Sequence, residues 1–205
     1  VIDDEIKLSS FLKDFASIKS PCILVHGGGK IATRIGEQLG IESKYVDGRR
    51  ITDDDTIDLV TMVYAGMENK KMVAQLQSLG CNAIGLTGAD ANIIPAQKRP
   101  VKTIDYGWVG DINTSNISSD LLKGLLDLGL KPVFAPLTHD GSGHMLNTNA
   151  DTIASAIAVA LSNYFDVRLM YCFEKKGVLE NVDDDDSVIA EINRNNYDAL
   201  KADGK

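Results

Sequence analysis

Three successive glycines lie between His26 and Lys30, directly after a short apolar run at 22–25. The run predicts a buried strand, and the helical spacing of Ile31, Ile35 and Leu39 predicts a helix after the glycines. A helix N-terminus presents unpaired backbone N–H groups, and glycine lets an anion approach them because it has no Cβ. The P-loop and dinucleotide patterns are both absent here. The segment therefore predicts a phosphate-binding loop of another kind, with a tight turn without a ligand as the alternative.

Arg50 is the second candidate site residue, and it lies two residues before Thr52, a predicted helix cap. A guanidinium group can hold a carboxylate through two charge-assisted hydrogen bonds, whereas lysine offers only a point charge. Arg50 is therefore a candidate clamp for a carboxylate. An exposed arginine without a ligand is the alternative interpretation.

Two asparagines precede a predicted helix that begins near Thr152. Asn147 and Asn149 alternate at the end of an extended segment, so their side chains point to one face. An amide can both donate and accept hydrogen bonds, and Asp151 adds a short negative side chain. The segment predicts a polar ligand site. In the alternative interpretation Asp151 caps the helix and the asparagines are turn residues.

An α/β framework must position these residues. Apolar residues at helical spacing and short apolar runs predict alternating helices and strands. The predicted helices cover 5–18, 31–39, 52–79, 118–128 and 152–161, and the predicted strands cover 22–25, 83–86, 133–135 and 167–172. Between 93 and 112, prolines and glycines punctuate short extended runs, which predicts hairpins or an irregular lid. Wholly apolar strands between amphipathic helices predict a three-layer α/β/α sandwich with a mainly parallel central sheet.

The composition narrows the classes of function. The chain has 205 residues, of which 44% are hydrophobic and 24% charged, and this is typical of a globular protein with one large domain or two small lobes. The net charge of −8 provides no overall positive field for nucleic acid or an anionic membrane. No membrane helix or signal peptide is predicted, so we expect a cytoplasmic protein. The acidic run 183–186 is interpreted as a solvated loop, and no residue is assigned to a metal.

Several motifs together resemble, in order and spacing, those of the acetylglutamate kinase family, an amino-acid kinase family. They lie at 26–29, 48–52, 85–90, 106–111 and 147–151. The resemblance covers almost the whole chain, and the asparagine pair before Ala150 and Asp151 is its most specific part. It implies an acceptor-binding N-terminal lobe over 1–137, without its first strand, and an incomplete nucleotide-binding C-terminal lobe over 138–205.

The resemblance also implies an activity, the ATP-dependent phosphorylation of the side-chain carboxylate of an N-acyl-L-glutamate in arginine biosynthesis. The glycine loop would then lie between the acylated amino acid and the phosphoryl group, with Gly27 and Gly28 binding substrate and Gly28 also catalytic. Arg50 would bind the α-carboxylate, and Asn147 and Asn149 would serve the acylated substrate.

Other parts of the machinery are implied in the same way. Asp151 would orient catalytic lysines, and ATP with Mg²⁺ would bind the C-terminal lobe, with Glu174 and Gly177 as nucleotide contacts. The helix expected at 52–79 would help to form a homodimer. No nucleic-acid or membrane partner is implied.

The chain departs from the family pattern in three places. Relatives open with a Lys-x-Gly-Gly strand and later carry a Gly-Met-x-x-Lys segment, each with a catalytic lysine, and Lys205 does not match the second. Phe173 and Glu174 stand where many relatives have Ser/Thr-Asp. A fragment of a kinase is one interpretation, and a catalytically silent binding module of the same fold is the alternative. A nucleotide-binding oxidoreductase is disfavoured because the dinucleotide fingerprint is missing.

Overall fold

The computed structural model describes residues 2–172 and 175–202, and these form two compact units. The larger unit spans Ile2–Leu169, and the smaller one contains the described residues from Met170 onward. The boundary between an acceptor lobe and a nucleotide lobe after residue 137 stays a prediction.

The larger unit alternates helices and short strands. Its helices are α1 (Glu5–Ser17), α2 (Gly29–Leu39), α3 (Asp54–Val60), α4 (Asn69–Ser78), α5 (Ser119–Asp127) and α6 (Ala150–Leu161). Its strands are β1 (Leu24–Val25), β2 (Tyr45–Val46), β3 (Arg49–Arg50), β4 (Ala83–Leu86), β5 (Ala96–Lys98), β6 (Gly110–Ile112), β7 (Lys131–Phe134), β8 (Leu137–His139) and β9 (Met145–Asn147). A π-helical segment, Thr61–Glu68, joins α3 to α4, and short 3₁₀ helices lie at Asp90–Asn92 and Thr114–Asn116.

The central sheet is parallel, with strand order β1-β7-β4. Its side chains alternate between two apolar layers, as the strand period requires. Val133 packs with residues of α1 and α4, whereas the next residue, Phe134, packs with residues of α5 and α6. The sheet therefore lies between two helical layers, which confirms the predicted three-layer sandwich.

Three separate antiparallel hairpins pair β2 with β3, β5 with β6, and β8 with β9. The β5–β6 pair confirms the hairpin predicted between 93 and 112. A further apolar cluster joins α2, α3 and the π-helical segment to Leu137 of β8. This packing holds β8 and the continuous helix formed by α3, the π-helical segment and α4 close to the carboxyl end of the central sheet.

The structure corrects one predicted helix cap and one predicted strand. Thr52 was predicted to cap the helix, but the cap is Asp53, whose carboxylate accepts a hydrogen bond from the Thr56 N–H at 2.9 Å. Thr52 is instead buried and forms a β-bridge with Gly107. The predicted strand at 167–172 is wrong, because this segment has no regular secondary structure. Val167 packs on the core, but 168–172 is exposed, so the apolar composition specified neither burial nor the hydrogen-bonded neighbour that a strand needs.

The smaller unit contains a β-bridge between Leu179 and Val188 and a short helix, α7 (Tyr197–Ala202). The acidic run 183–186 is exposed, in agreement with a solvated loop. Two of its carboxylates form ion pairs with lysines, Asp185 with Lys175 at 2.5 Å and Asp186 with Lys176. Among the described residues, no helix is long and apolar enough to cross a membrane.

Candidate functional site

The glycine loop connects β1 to α2 at the carboxyl end of the sheet. Gly28 is the N-cap of α2, with φ 154°, a value that residues with a side chain rarely adopt. A Cβ at Gly28 would lie 2.8 Å from Cδ1 of Tyr64, whereas one at Gly29 would meet nothing within 4 Å. Within residues 2–172 and 175–202, the backbone N–H groups of Gly27, Gly28 and Gly29 donate no hydrogen bond. The loop thus leaves N–H groups at a helix start, where an anion binds favourably.

A tight hairpin brings Arg50 against this loop. Its two turn residues, Asp47 and Gly48, have φ of 50° and 72°, which is the geometry of a type I′ turn. Arg50 is only 7% exposed, so the interpretation as an exposed arginine is wrong. Its Nη2 donates to the Gly29 carbonyl and to Thr33 Oγ1, both at 2.9 Å.

Two further contacts complete the surroundings of Arg50. Its Nη1 donates a hydrogen bond to the Ser43 hydroxyl, and its guanidinium carbon lies 4.8 Å from the ring centroid of Tyr45. Hydrogen bonds to Ser43, Thr33 and Gly29 leave at most two of the five guanidinium hydrogens for a ligand. Arg50 therefore fixes the hairpin to the start of α2 and is part of the lining of the space beside the glycine loop.

Both asparagines of the second motif have structural partners. Asn149 is the N-cap of α6, and its Oδ1 accepts hydrogen bonds from the Thr152 N–H at 2.9 Å and hydroxyl at 3.2 Å. Asn147 donates from Nδ2 to Thr52 Oγ1 at 3.1 Å. Asp151 follows in the exposed first turn of α6, so it is not the cap. The helix cap uses only the side-chain oxygen of Asn149, so its amide N–H groups take no part in the cap.

The segment 106–110 connects Thr52, which follows the Arg50 hairpin, to Asn147 of β9 through hydrogen bonds. The Trp108 N–H donates to the Thr52 carbonyl at 2.6 Å, and the Trp108 carbonyl accepts from the Asn147 N–H at 2.9 Å. The Trp108 indole N–H donates to Asp54 at 2.6 Å. A Cβ at Gly107, where φ is 71°, would lie 2.1 Å from the Thr52 carbonyl oxygen, so only glycine fits there. This segment sets the spacing between the hairpin and β9.

One cleft of about 240 Å³ collects the predicted substrate-binding residues. All five predicted substrate-binding residues are part of its lining: Gly27, Gly28, Arg50, Asn147 and Asn149. Its volume is below the roughly 300–1,000 Å³ typical of pockets for drug-sized ligands, so it suits a small ligand. The structure therefore brings together three motifs that are up to 122 residues apart in the sequence, from Gly27 to Asn149.

The remaining predicted site residues lie elsewhere. Asp151 is not in the lining of this cleft. Gly177 lies in the smaller unit, where a Cβ would be 2.8 Å from Val188 Cγ1. Glu174 is outside the described residues. Within the described ranges, no group of three or more His, Cys, Asp or Glu residues could hold a metal ion.

Sequence reasoning missed three aromatic or charged residues in the cleft lining, Tyr45, Arg49 and Tyr64. Tyr64 is 4% exposed and packs against Gly28; burial raises the pKa of its hydroxyl, so it stays protonated near neutral pH. The Asp-Gly dipeptide at 47–48 is a strong hairpin signal and would have placed Tyr45 and Arg49 beside Arg50. Nothing in the spacing of Tyr64 distinguishes it from a core residue.

Comparison with known proteins places the chain in a family. The model of the amino acid kinase family matches residues 1–205, so the chain belongs to that family. Within it, the chain is similar to proteins named acetylglutamate kinase. The protein of that name from Cytophaga hutchinsonii is 60% identical over 205 residues, which are all of this chain and 77% of that protein.

More distant relatives carry the same name. An acetylglutamate kinase of Bacteroides thetaiotaomicron is 58% identical over 204 residues, which cover 100% of this chain and 79% of that protein. One from Methanopyrus kandleri is 39% identical over 197 residues, 94% of this chain and 78% of the relative. The similarity thus extends beyond one bacterial group.

Solved structures support the fold. The protein smu.665 of Streptococcus mutans UA159 is 28% identical, with a TM-score of 0.64 over 76% of this chain and 61% of that one. N-acetylglutamate synthase of Neisseria gonorrhoeae, solved with coenzyme A and N-acetyl-glutamate, has a TM-score of 0.66 at 21% identity, over 77% of this chain and 36% of that one. The second likeness concerns the fold alone.

Proposed function

We propose that the protein is an acetylglutamate kinase, which transfers the γ-phosphoryl group of ATP to the side-chain carboxylate of an N-acyl-L-glutamate. The observation that carries the proposal is the single cleft lined by the glycine loop, Arg50, Asn147 and Asn149. Relatives at 55–60% identity over almost the whole chain bear the kinase name, which favours this function over a silent binding module.

The cleft supplies the interactions that this reaction requires. Phosphoryl transfer leaves little covalent chemistry for the protein, so catalysis depends on alignment and on neutralising charge. The N–H groups of Gly27 and Gly28 face the phosphoryl group in this proposal, and Gly28 is the residue closest to the chemistry. The acceptor carboxylate is already ionised near neutral pH, so it needs no general base.

The acylated amino acid is held by charge and by amide groups. Arg50 binds the α-carboxylate with its remaining donors, while Asn147 and Asn149 serve the substrate amide. Among the cleft residues, none is Asp or Glu, so an ammonium group would have no partner there. The site should therefore prefer N-acylated glutamate to free glutamate.

The nucleotide side of the site is proposed from the family resemblance. ATP arrives with Mg²⁺, which is usually held largely by the substrate phosphates rather than by a protein cage. Glu174 and Gly177 are proposed nucleotide contacts. Asp151, in the first turn of α6, is proposed to orient catalytic lysines.

Steady-state kinetics of the full-length enzyme test this function. ATP-dependent phosphorylation should be measured with free, acetylated and succinylated glutamate at equal concentrations. We expect efficient turnover of an acylated substrate and poor turnover of free glutamate. The comparison of acetyl with succinyl identifies the acyl group. Efficient phosphorylation of free glutamate would contradict the proposed acceptor site.

We also propose that the full-length enzyme forms a homodimer through the long helix that contains α3, the π-helical segment and α4. Met62 in the π-helical segment is 57% exposed and Leu79, which follows α4, is 41% exposed, so this helix presents apolar side chains at its surface. Light scattering at micromolar concentration should give twice the subunit mass. A mass of one subunit would rule the dimer out.

A further inference from the structure

His26 precedes the three glycines and is almost completely buried, with 3% of its surface exposed. Its backbone N–H donates to the Phe134 carbonyl at 3.1 Å, which continues the pairing of β1 with β7. Its ring atom Nδ1 lies 2.7 Å from the Gly27 carbonyl oxygen. A carbonyl oxygen can only accept, so Nδ1 carries a proton and donates it to this hydrogen bond.

The opposite side of the imidazole ring faces Asn69, the first residue of α4. Asn69 is 1% exposed, and its Nδ2 lies 3.2 Å from His26 Nε2 and 2.8 Å from the Val133 carbonyl oxygen. The amide oxygen of Asn69 accepts from Lys70 Nζ at 3.2 Å, and the same ammonium group donates to the Gly85 carbonyl at 2.9 Å.

These partners fix the orientation of the Asn69 amide. The Val133 carbonyl oxygen can only accept and the Lys70 ammonium group can only donate, so Nδ2 must face Val133 and Oδ1 must face Lys70. His26 Nε2 is therefore an acceptor. Both ring nitrogens are thus specified by their neighbours, and only the neutral tautomer with the proton on Nδ1 satisfies all of them.

Resting on the proposed function, we infer that His26 is a positioning residue, a neutral imidazole held by Asn69 that orients the Gly27 carbonyl and thereby the glycine loop for phosphoryl transfer. In a trans peptide, the C=O and the following N–H point in opposite directions. Holding the Gly27 carbonyl towards His26 therefore turns the Gly28 N–H away from the ring and towards the cleft. The triple glycine run has little conformational preference of its own, so an external restraint of this kind is required.

A matched pair of substitutions separates the two sides of the ring. In His26→Asn the side-chain amide reaches the position of Nδ1 and can still donate to the Gly27 carbonyl. In His26→Gln the amide reaches the position of Nε2 and can bond Asn69, but the donor to Gly27 is lost. We expect kcat to fall by about 10- to 100-fold in His26→Gln and by less than about fivefold in His26→Asn. The acceptor KM should change little in both variants.

Asn69 is tested against a control on the same helix. Gln77 also donates from its side-chain amide to a sheet carbonyl, that of Ala83 at 2.9 Å, but has no link to His26. Asn69→Ala should lower kcat by about tenfold or more, while Gln77→Ala should leave kcat within about twofold. If kcat falls in both variants by amounts that follow the decreases in their melting temperatures, the contact between Asn69 and His26 is only structural. The inference is then wrong.

The tautomer can be measured directly by nitrogen NMR of the imidazole in the full-length enzyme. We expect a proton on Nδ1 of His26 at neutral pH, and the signal should persist in Gln77→Ala but change in Asn69→Ala. A proton on Nε2 would overturn the proposed geometry. If His26→Asn and His26→Gln have equal kcat values and the wild-type enzyme is active, the inference that His26 positions the loop is wrong while the proposed function stands. A wild-type enzyme inactive on every acylated glutamate would instead overturn the proposed function.

Discussion

Acidification should destabilise the protein through His26 in a pH range where most carboxylates are still ionised. Burial of the ring lowers the pKa of His26 from 6.5 to about 4, although its hydrogen bond to Gly27 opposes the shift. Between these two values the unfolded state binds a proton that the native state does not bind. The free energy of unfolding must therefore fall as pH decreases through this range, and the contribution is fully present above it.

The size of the effect follows from the two pKa values. Each pKa unit is worth about 1.4 kcal/mol, so a shift from 6.5 to about 4 corresponds to about 3 kcal/mol lost below pH 4. Most of this loss, about 2 kcal/mol, should occur between about pH 7 and about pH 5. The total is a large fraction of the roughly 5–15 kcal/mol by which proteins are stable.

Urea unfolding of the full-length protein at a series of pH values measures this contribution. The matched control is His26→Asn, because it removes the titrating ring and leaves His139 and His144 in place. The difference in unfolding free energy between wild type and variant should shrink by about 2 kcal/mol from about pH 7 to about pH 5. If the two proteins show the same pH dependence, His26 is not a buried neutral imidazole and the positioning inference fails with it.

Substitutions at Gly28, Arg50 and Asn149, with matched controls, test the cleft. Gly28→Ala should cost about 1–3 kcal/mol by thermal unfolding and reduce turnover, because its Cβ would meet Tyr64, whereas Gly29→Ala should change stability by less than about 0.5 kcal/mol. Arg50→Ala should raise the acceptor KM by about 10- to 150-fold with a smaller effect on the KM for ATP, and an unchanged acceptor KM would refute its role. Asn149→Ala should lose about 1 kcal/mol of stability with its helix cap, whereas Asn149→Asp keeps the cap and isolates the loss of the amide in turnover.

Periodicity and apolar runs were sufficient to predict the layers of the fold. The run 22–25 predicts β1, and the alternating contacts of Val133 and Phe134 explain why such runs are apolar on both faces. The same signal failed at 167–172, where 168–172 is exposed, because an apolar run cannot supply the hydrogen-bonded neighbour that a strand needs. The π-helical segment at 61–68 also has no signature in the spacing, since a wider turn differs from an α-helix by a single residue.

The motifs of the site were visible in the sequence, but their contacts were not. The residue types of the glycine loop, Arg50 and the asparagines pointed to anion and amide recognition, and the fold brings them into one cleft. The engagement of Arg50 with Thr33 depends on a distance between residues 17 positions apart in the sequence, which composition and spacing cannot supply. His26 likewise gains its partner Asn69 only through the packing of α4 on the sheet.

The contacts made by the proposed substrate-binding residues also bear on how the cleft can recognise its ligand. Arg50 holds the start of α2, Asn147 holds Thr52 and Asn149 caps α6, so each proposed ligand group is already fixed by a protein partner. Groups held in place before binding lose little conformational entropy when the ligand arrives. The same double use means that substituting any of them changes both folding and binding. Acceptor KM values of these variants must therefore be compared well below each variant's melting temperature, where a rise in KM reports lost substrate contacts and not a partly unfolded cleft.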